Sequence, residues 1–417
     1  MTLKELNKNH TILNNLLLFS FCIYPITFLL GNFAINLLLF VFNFLFIWGV
    51  FKKYYSLNIL NKNIQILLLF IFFTFLVNLF FSNDFNLTYL RVLKFILIIG
   101  SILAFRALII NCKEEKIIKI YKIWSLIFLI VIFDVIYELI FGVNILGFKS
   151  VIPGRVTSFT GDEMNIGHFF SGFCLIFISF QLHSISKNSL NLLIAVLLIL
   201  ISFLIGERSN FIRSLIIISI FIFFIFEINK KYKILSVSSL IIFLIIILNI
   251  NPNYKLRYID QFTKVLSKEG MHHYLDNSIY GAHFKVAEEI FKDNIFFGVG
   301  IKNFRIESFS DKYDNINHKH PDRRANTHPH QVHYEFLSET GLFGYLSFGV
   351  FIILSFYFAI KSYLKNKNLY QLSGILYVLV SLLPLLPTGS FFSTYSSSLF
   401  WLNYAIMVGY IQNFSKS

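Results

Sequence analysis

Apolar runs of about twenty residues recur along the chain, each long enough to cross roughly 30 Å of hydrocarbon as a helix. Backbone in lipid must satisfy its hydrogen bonds internally, which leaves helices or a closed barrel. Barrels write their spans as short alternating segments, whereas these runs are continuous and rich in Leu, Ile and Phe. The expectation is an all-α polytopic membrane protein. Composition agrees: 56% of the 417 residues are hydrophobic and 14% are charged, against about 25% charged in a soluble domain.

Twelve spans are expected, near residues 11–30, 33–51, 64–81, 91–111, 120–142, 165–183, 190–206, 210–227, 234–250, 342–360, 369–387 and 393–412. The first run, from about Thr11 to Leu30, exceeds a signal peptide's apolar core and lacks a small-residue cleavage pattern, so it reads as a retained span. The net charge of +14 is a topology signal here rather than a sign of nucleic-acid binding. With a cytoplasmic N-terminus, seventeen basic residues, including Lys4, Lys8, Lys187 and Lys416, fall in cytoplasmic segments. Only Lys149, Arg155 and Arg208 fall in the short loops opposite, so both termini are expected in the cytoplasm. Three parts follow: spans one to nine in 1–250, an outer loop subdomain in 251–341, and spans ten to twelve in 342–417. Cys22, Cys112 and Cys174 are far apart without metal or redox spacing and read as packing residues.

The loop subdomain carries twelve basic residues and eight of the eleven histidines. Ser278 can cap a helix in which Tyr280, Phe284, Ala287 and Phe291 share a face, and Gly298-Val299-Gly300 suits a tight turn after it. On the outer side, Arg91 and Lys94 open the fourth span three residues apart, Arg155 follows Pro153-Gly154, Arg208 sits in Gly206-Glu207-Arg208-Ser209, and Arg213 lies about one and a half turns further on. The plain reading is snorkelling to headgroups, which Arg106 near the cytoplasmic end of its span is expected to do. A cluster of basic residues on one side instead suits phosphate, because a guanidinium pairs two oxygens and stays charged. A lipid-linked pyrophosphate fits both the cations and the bilayer.

A second constellation is Thr327-His328-Pro329-His330-Gln331-Val332-His333-Tyr334-Glu335, followed by Glu339, Gly341 and Gly344. Pro329 suits the first position of a helix, which puts His330 in the first turn, where the dipole disfavours a protonated ring. A neutral histidine can take a proton from a hydroxyl. His333 then lies one turn on. His318, His320, His328, His330 and His333 fall within sixteen residues, but there is no HExxH pattern and no Asp-x-Asp pair, so no metal and no other cofactor is expected.

These residues resemble the O-antigen ligase and polymerase superfamily of bacterial envelope enzymes. Its ligases carry His, then Asn, Ser or Gln, nine residues, Gly, two residues, and Gly, Thr or Tyr. His330-Gln331, the nine residues Val332 to Thr340, Gly341 and Gly344 satisfy that pattern, and Arg208 stands at a span end where the family has a functional arginine. The resemblance implies a GT-C-like glycosyltransferase architecture in the bacterial inner membrane with a periplasmic active site. It implies an inverting, metal-independent transfer of a glycan from undecaprenyl pyrophosphate to lipid A-core, with His330 and Arg208 catalytic. Arg213, Arg155, Arg91, Lys94, Lys285, His333 and Glu339 are the expected substrate-binding residues, and no nucleic acid is involved. Where relatives often have an arginine opening the amphipathic helix, this chain has Tyr280-Gly281-Ala282-His283 and then Lys285, which leaves Lys285, His283 or Arg257 for that role. Two rivals stand beside the ligase: a polymerase with the same donor, and a transporter, whose internal repeats and midplane helix breaks this sequence does not clearly show.

Overall fold

A computed structural model describes residues 3–185, 188–261, 263 and 270–412, apart from the side chains of 3–8, 271 and 272. Lys187, Lys416 and the side chains of Lys4, Lys8 and His272 lie outside the described residues. Among the described residues every regular element is a helix and none is a strand. Eight helices among the described residues are long and apolar enough to cross a membrane. Asn9–Cys22 and Tyr24–Leu30, bent by 41°, make a ninth if they cross as one span. The bend falls where Pro25 opens the second helix without an amide to donate. The chain is thus a multi-pass helical membrane protein.

Three expected spans are shorter than roughly twenty residues. Asn188–Leu204 has 17 residues, Leu369–Ser381 has 13 and Thr394–Gly409 has 16, so length alone does not bring the count to twelve. Pro384 and Pro387 follow the second of these and cannot extend it.

The chain divides into two compact units. The first comprises Met1–Leu38, Leu108–Phe262 and Asn368–Ser381. Its hub is Ile166–Ser184, which is buried almost throughout and packs on Glu114–Phe141, Arg208–Ile220 and Leu369–Ser381. Aromatic contacts knit the hub's surroundings: Tyr121 stacks on Tyr370 with centroids 3.8 Å apart, and Trp124 Nε1 donates to the Phe21 carbonyl at 2.6 Å. Two acids inside the apolar Glu114–Phe141 helix hold the loop that follows it. Glu138 accepts from the amides of Thr157 (3.0 Å) and Ser158 (2.6 Å), while Asp134 accepts from Ser158 Oγ (2.6 Å) and the Ile145 amide (2.9 Å). The Ser158–Glu163 stretch is therefore anchored by buried carboxylates.

The second unit comprises Leu39–Ala107, Thr263–Lys367 and Leu382–Ser417. Its longest helix, Val332–Asn366, packs along Lys62–Phe80 and breaks at Gly341, where φ is 63° and ψ is −169°, a region open essentially to glycine. The break frees backbone groups that the Gly298-Val299-Gly300 turn takes up. The amides of Val299 and Gly300 donate to Ser338 and Glu339 carbonyls at 3.0 and 2.8 Å, and the Leu342 amide donates to Ile295 at 2.7 Å. Asn78 closes the joint: Nδ2 donates to the carbonyls of Phe297 (2.8 Å) and Glu339 (3.0 Å), and Oδ1 accepts from the Ile301 amide (2.9 Å). Ser278 Oγ accepts from the Gly281 amide at 2.9 Å, capping Ile279–Asp293 as the sequence suggests. That helix buries Ala287 and Ile290 against Val299, Phe304 and Tyr313.

Arg106 corrects an expectation. It does not snorkel: only 7% exposed, it donates through Nε to the Ile59 carbonyl (3.3 Å) and through Nη1 to the Gly409 carbonyl (2.5 Å). Gly409 ends the Thr394–Gly409 helix, where the negative end of the dipole suits a cation.

A methyl group on Gly341 would sit 2.5 Å from the Phe296 carbonyl carbon. Gly341→Ala is expected to cost at least about 1–3 kcal/mol from backbone strain, with the clash in addition. Thermal unfolding of the purified protein tests this, and an unchanged midpoint would mean the joint tolerates a side chain.

Candidate active site

In the first unit, two loop segments and the short helical stretch 252–260 meet. The Val156 amide donates to the Ile205 carbonyl at 3.1 Å, and a Cβ on Gly206 would lie 1.8 Å from the Gly154 oxygen, so these backbones touch and Gly206 takes φ of 80°. The third segment is pinned by Tyr254 Oη and Tyr258 Oη, which donate to the Leu204 and Phe203 carbonyls at 2.6 and 2.8 Å. This packing gathers arginines. Arg155 pairs with Glu207 at 2.9 Å and donates to the Met164 carbonyl at 2.9 Å. Arg208 opens the helix Arg208–Ile220 rather than lying in the loop before it, and its Nη1 donates to the Arg257 carbonyl at 3.2 Å. Arg257 Nε donates to the Gly206 carbonyl at 3.0 Å. Burial, and then the charges of Arg155 and Arg208, hold the Arg257 guanidinium below the usual arginine range.

Glu207 does more than neutralise: it also accepts from the Gly167 amide (3.1 Å) and from Asn210 Nδ2 (2.5 Å). Asn210 Oδ1 in turn accepts from Arg213 at 3.0 Å, and Arg213 is 3% exposed. Arg213 is thus part of the internal scaffold, whereas Arg155 and Arg208 keep partial exposure.

The second unit holds His330, His333, Glu339, Lys285, Arg91 and Lys94. The Val332–Asn366 helix starts later than the sequence suggests. Its N-cap is Gln331, whose side chain accepts from the His333 (2.7 Å) and Tyr334 (3.1 Å) amides. Pro329 and His330 precede the helix, so the first-turn reading of His330 and its shared face with His333 are corrected. The reason is the backbone of His330, left-handed at φ 58° and fixed by the Thr388 amide donating to its carbonyl at 2.7 Å. A non-glycine residue there is strained, an outlier of the kind that collects at functional sites.

The His330 ring is half-buried among other rings: His328 at 4.0 Å, His283 at 5.2 Å and Tyr280 at 5.4 Å between centroids. Burial lowers the His330 pKa, and a backbone hydrogen bond at Thr388 works against it. Burial and then His330 push His283 down to about 4 and His328 down to about 2. The three imidazoles are neutral at pH 7 because burial disfavours their charged forms. His333 is committed elsewhere, with Nε2 2.9 Å from the Leu382 carbonyl and Nδ1 3.1 Å from Tyr345 Oη.

Beside the histidines lies a charge network that sequence reading missed. Lys302 is 2% exposed, and its Nζ donates to Ser390 Oγ at 2.5 Å. Ser390 Oγ donates to Glu335 Oε1 at 2.5 Å, and the Phe391 amide donates to Glu335 Oε2 at 2.7 Å. Glu339 Oε2 accepts from the Lys302 amide at 2.7 Å, while its Oε1 is enclosed without a partner. Burial lowers the Lys302 pKa against the pull of Glu335 and Glu339, and Arg305 and Arg91 lower it further. Arg91 and Lys94 lie inside the helix Phe85–Asn111 rather than opening it, and Lys94 Nζ is enclosed without a hydrogen-bond partner. Lys285 is engaged at the surface by Asp276 and the Asn317 carbonyl, both at 2.5 Å. The signal for the network was Glu335 and Glu339 one turn apart at the mouth of an apolar helix, a pair that burial requires to find partners.

The first unit thus gathers arginines, and the second holds neutral histidines beside buried charged side chains. Residues 193–349 match the family described as O-antigen ligase, a similarity over part of the chain that supports the O-antigen ligase and polymerase superfamily. The matched segment includes Arg208, Arg213, Lys285, His330, His333 and Glu339. No curated protein matches the chain.

Removing the Lys302 charge leaves Glu335 buried without its cation. Lys302→Met is expected to destabilise the protein by about 3–5 kcal/mol, and adding Glu335→Gln is expected to restore part of that loss. Equilibrium unfolding of the four variants gives the coupling, and strictly additive losses would argue that the two charges do not interact.

Proposed function

We propose that the protein is an O-antigen ligase that moves a glycan from undecaprenyl pyrophosphate to a sugar hydroxyl of lipid A-core at the periplasmic face of the bacterial inner membrane. The reading includes twelve spans, cytoplasmic termini, a periplasmic subdomain between residues 251 and 341, and a GT-C-like architecture. The observation that carries it is His330: a strained, half-buried, neutral imidazole immediately before the helix cap, within the segment matching the O-antigen ligase family.

In the reaction, His330 takes the proton of the attacking hydroxyl as its oxygen forms a bond to the anomeric carbon. The bond from that carbon to the phosphate oxygen breaks, and its electron pair leaves with undecaprenyl pyrophosphate. Attack from the face opposite the leaving group inverts the anomeric centre. Arg208 and Arg155 hold the departing pyrophosphate and stabilise its growing charge, with Arg213 fixing the scaffold beneath them. Arg91, Lys94, Lys285, His333 and Glu339 shape the second unit around the base. No metal enters this scheme, since guanidinium groups supply the positive charge.

Deletion of the gene is expected to leave lipopolysaccharide core without attached glycan; core carrying a single repeat would instead identify a polymerase. In the deletion strain, Arg208→Ala is expected to restore no capping and Arg208→Lys only part of it, because charge survives while bidentate geometry is lost. Equal capping by both variants would reduce Arg208 to a structural residue.

The base must be neutral to act, and its pKa lies below the ordinary histidine value of about 6.5. Transfer by purified protein is therefore expected to fall as pH is lowered, with a midpoint below the ordinary histidine value. A midpoint at or above about 6.5 would contradict a neutral, buried base.

A further inference from the structure

The scheme above gives Lys302 and Arg305 no ligand and treats Arg91 and Lys94 only as surroundings of the base, yet these four cations form one cluster in the second unit. Packing brings them together. Thr88 Oγ1, near the start of the helix Phe85–Asn111, donates to the Ile301 carbonyl at 3.0 Å and accepts from Asn303 Nδ2 at 2.9 Å. Arg91 and Lys94 follow Thr88 at steps of three residues, and Lys302 and Arg305 flank Asn303 in the chain, so both pairs border the same contact. Their charges face one another: Arg91 lies within electrostatic reach of Arg305 and Glu339, and Lys94 of Arg91 and Lys302.

Their partners are too few. The carboxylates that Lys302 faces are Glu335 and Glu339, so four cations stand against two anions with a surplus of two positive charges. Those acids are buried and engaged by Ser390, the Phe391 amide and the Lys302 amide. Asp84 and Glu307, on the same segments, accept from the Leu87 amide at 3.1 Å and from Asn83 Nδ2 at 2.9 Å. Among the described residues, the side chains of Arg91, Lys94 and Arg305 have no hydrogen-bond or ion-pair partner, and Lys94 Nζ and Arg305 Nε are enclosed as well. Enclosed polar atoms of this kind are costly unless something pairs with them. Arg91 and Arg305 keep partial exposure, as ligand recognition requires, while Lys302 is buried. A dianion with several acceptor oxygens relieves the repulsion, and a phosphate monoester is one.

The position of the cluster indicates which substrate carries that phosphate. His328 is within reach of the Lys302 charge, and its ring lies 4.0 Å from that of His330. In an inverting displacement the base acts on the face of the sugar opposite the leaving pyrophosphate, so an anion held beside the base belongs to the acceptor. We propose that Arg91, Lys94 and Arg305, backed by Lys302, form a subsite for a phosphate monoester on the acceptor glycolipid. The assignment rests on the ligase reading above and adds to it the contact that selects the acceptor.

Steady-state transfer by the purified full chain in detergent tests this, with lipid A-core as acceptor, either native or stripped of its phosphates with hydrofluoric acid. Wild type is expected to show a KM roughly tenfold or more lower for the native acceptor. Arg91→Ala and Arg305→Ala are each expected to raise the native KM roughly tenfold and to change that of the stripped acceptor by less than about twofold, with Arg91→Lys and Arg305→Lys falling between. A protein damaged in its fold would lose both acceptors alike. Equal losses, or a native preference within about twofold of wild type in both alanine variants, would therefore overturn the assignment. Wild type that uses the two acceptors equally would overturn it and leave the ligase reading standing, whereas wild type that transfers to neither would overturn both.

Discussion

Hydrocarbon offers no hydrogen bonds, so a polar group inside this bundle must find its partner within the chain. The protein turns that constraint into its means of positioning irregular backbone. Glu138 and Asp134 hold the loop through Ser158, Glu207 holds the start of the hub helix, Glu335 holds the Ser390-Phe391 turn, Glu339 holds Lys302, and Asn78 holds the joint between Gly298 and Gly341. Each buried polar side chain grips amides or hydroxyls from a distant segment. One gripped segment carries Arg155, Glu207 itself adjoins Arg208, and the gripped Ser390-Phe391 turn follows Thr388, whose amide holds the His330 carbonyl.

Gly298 of the turn and Gly341 of the motif gain a physical meaning from this arrangement. Gly341 breaks a long helix in a conformation other residues avoid, and the amides and carbonyls it frees are matched by a turn whose own glycines take φ of 65° and 103°. Gly298 and Gly341 each lack the side chain that would collide with the backbone of the other's segment. The spacing between His330 and Gly341 therefore fixes how far the strained histidine stands from the joint.

Much of this was legible in the sequence, because periodicity and apolar length report directly on helices in lipid. The cap at Ser278, the turn at Gly298-Val299-Gly300 and the candidacy of His330 came from local patterns. What escaped were long-range partners. Nothing local announces that Lys302 reaches Ser390, that Arg106 caps a helix 303 residues away, or that Thr388 bends His330 out of the helix. The helix start was misplaced for the same reason: Pro329 is a sound first-turn residue, but a tertiary hydrogen bond at His330 outweighs local preference. The short Leu369–Ser381 and Thr394–Gly409 helices likewise reflect prolines and packing that hydropathy does not resolve.

The account turns on an uncharged imidazole removing a proton from the acceptor sugar. The direct measurement is glycan transfer between two defined lipids by purified His330→Gln protein, with donor affinity followed in the same sample. A loss of roughly a hundredfold or more in the transfer rate, with donor affinity intact, is the predicted result for a general base. A rate within about threefold of wild type would show that the hydroxyl loses its proton elsewhere and that His330 serves only the fold.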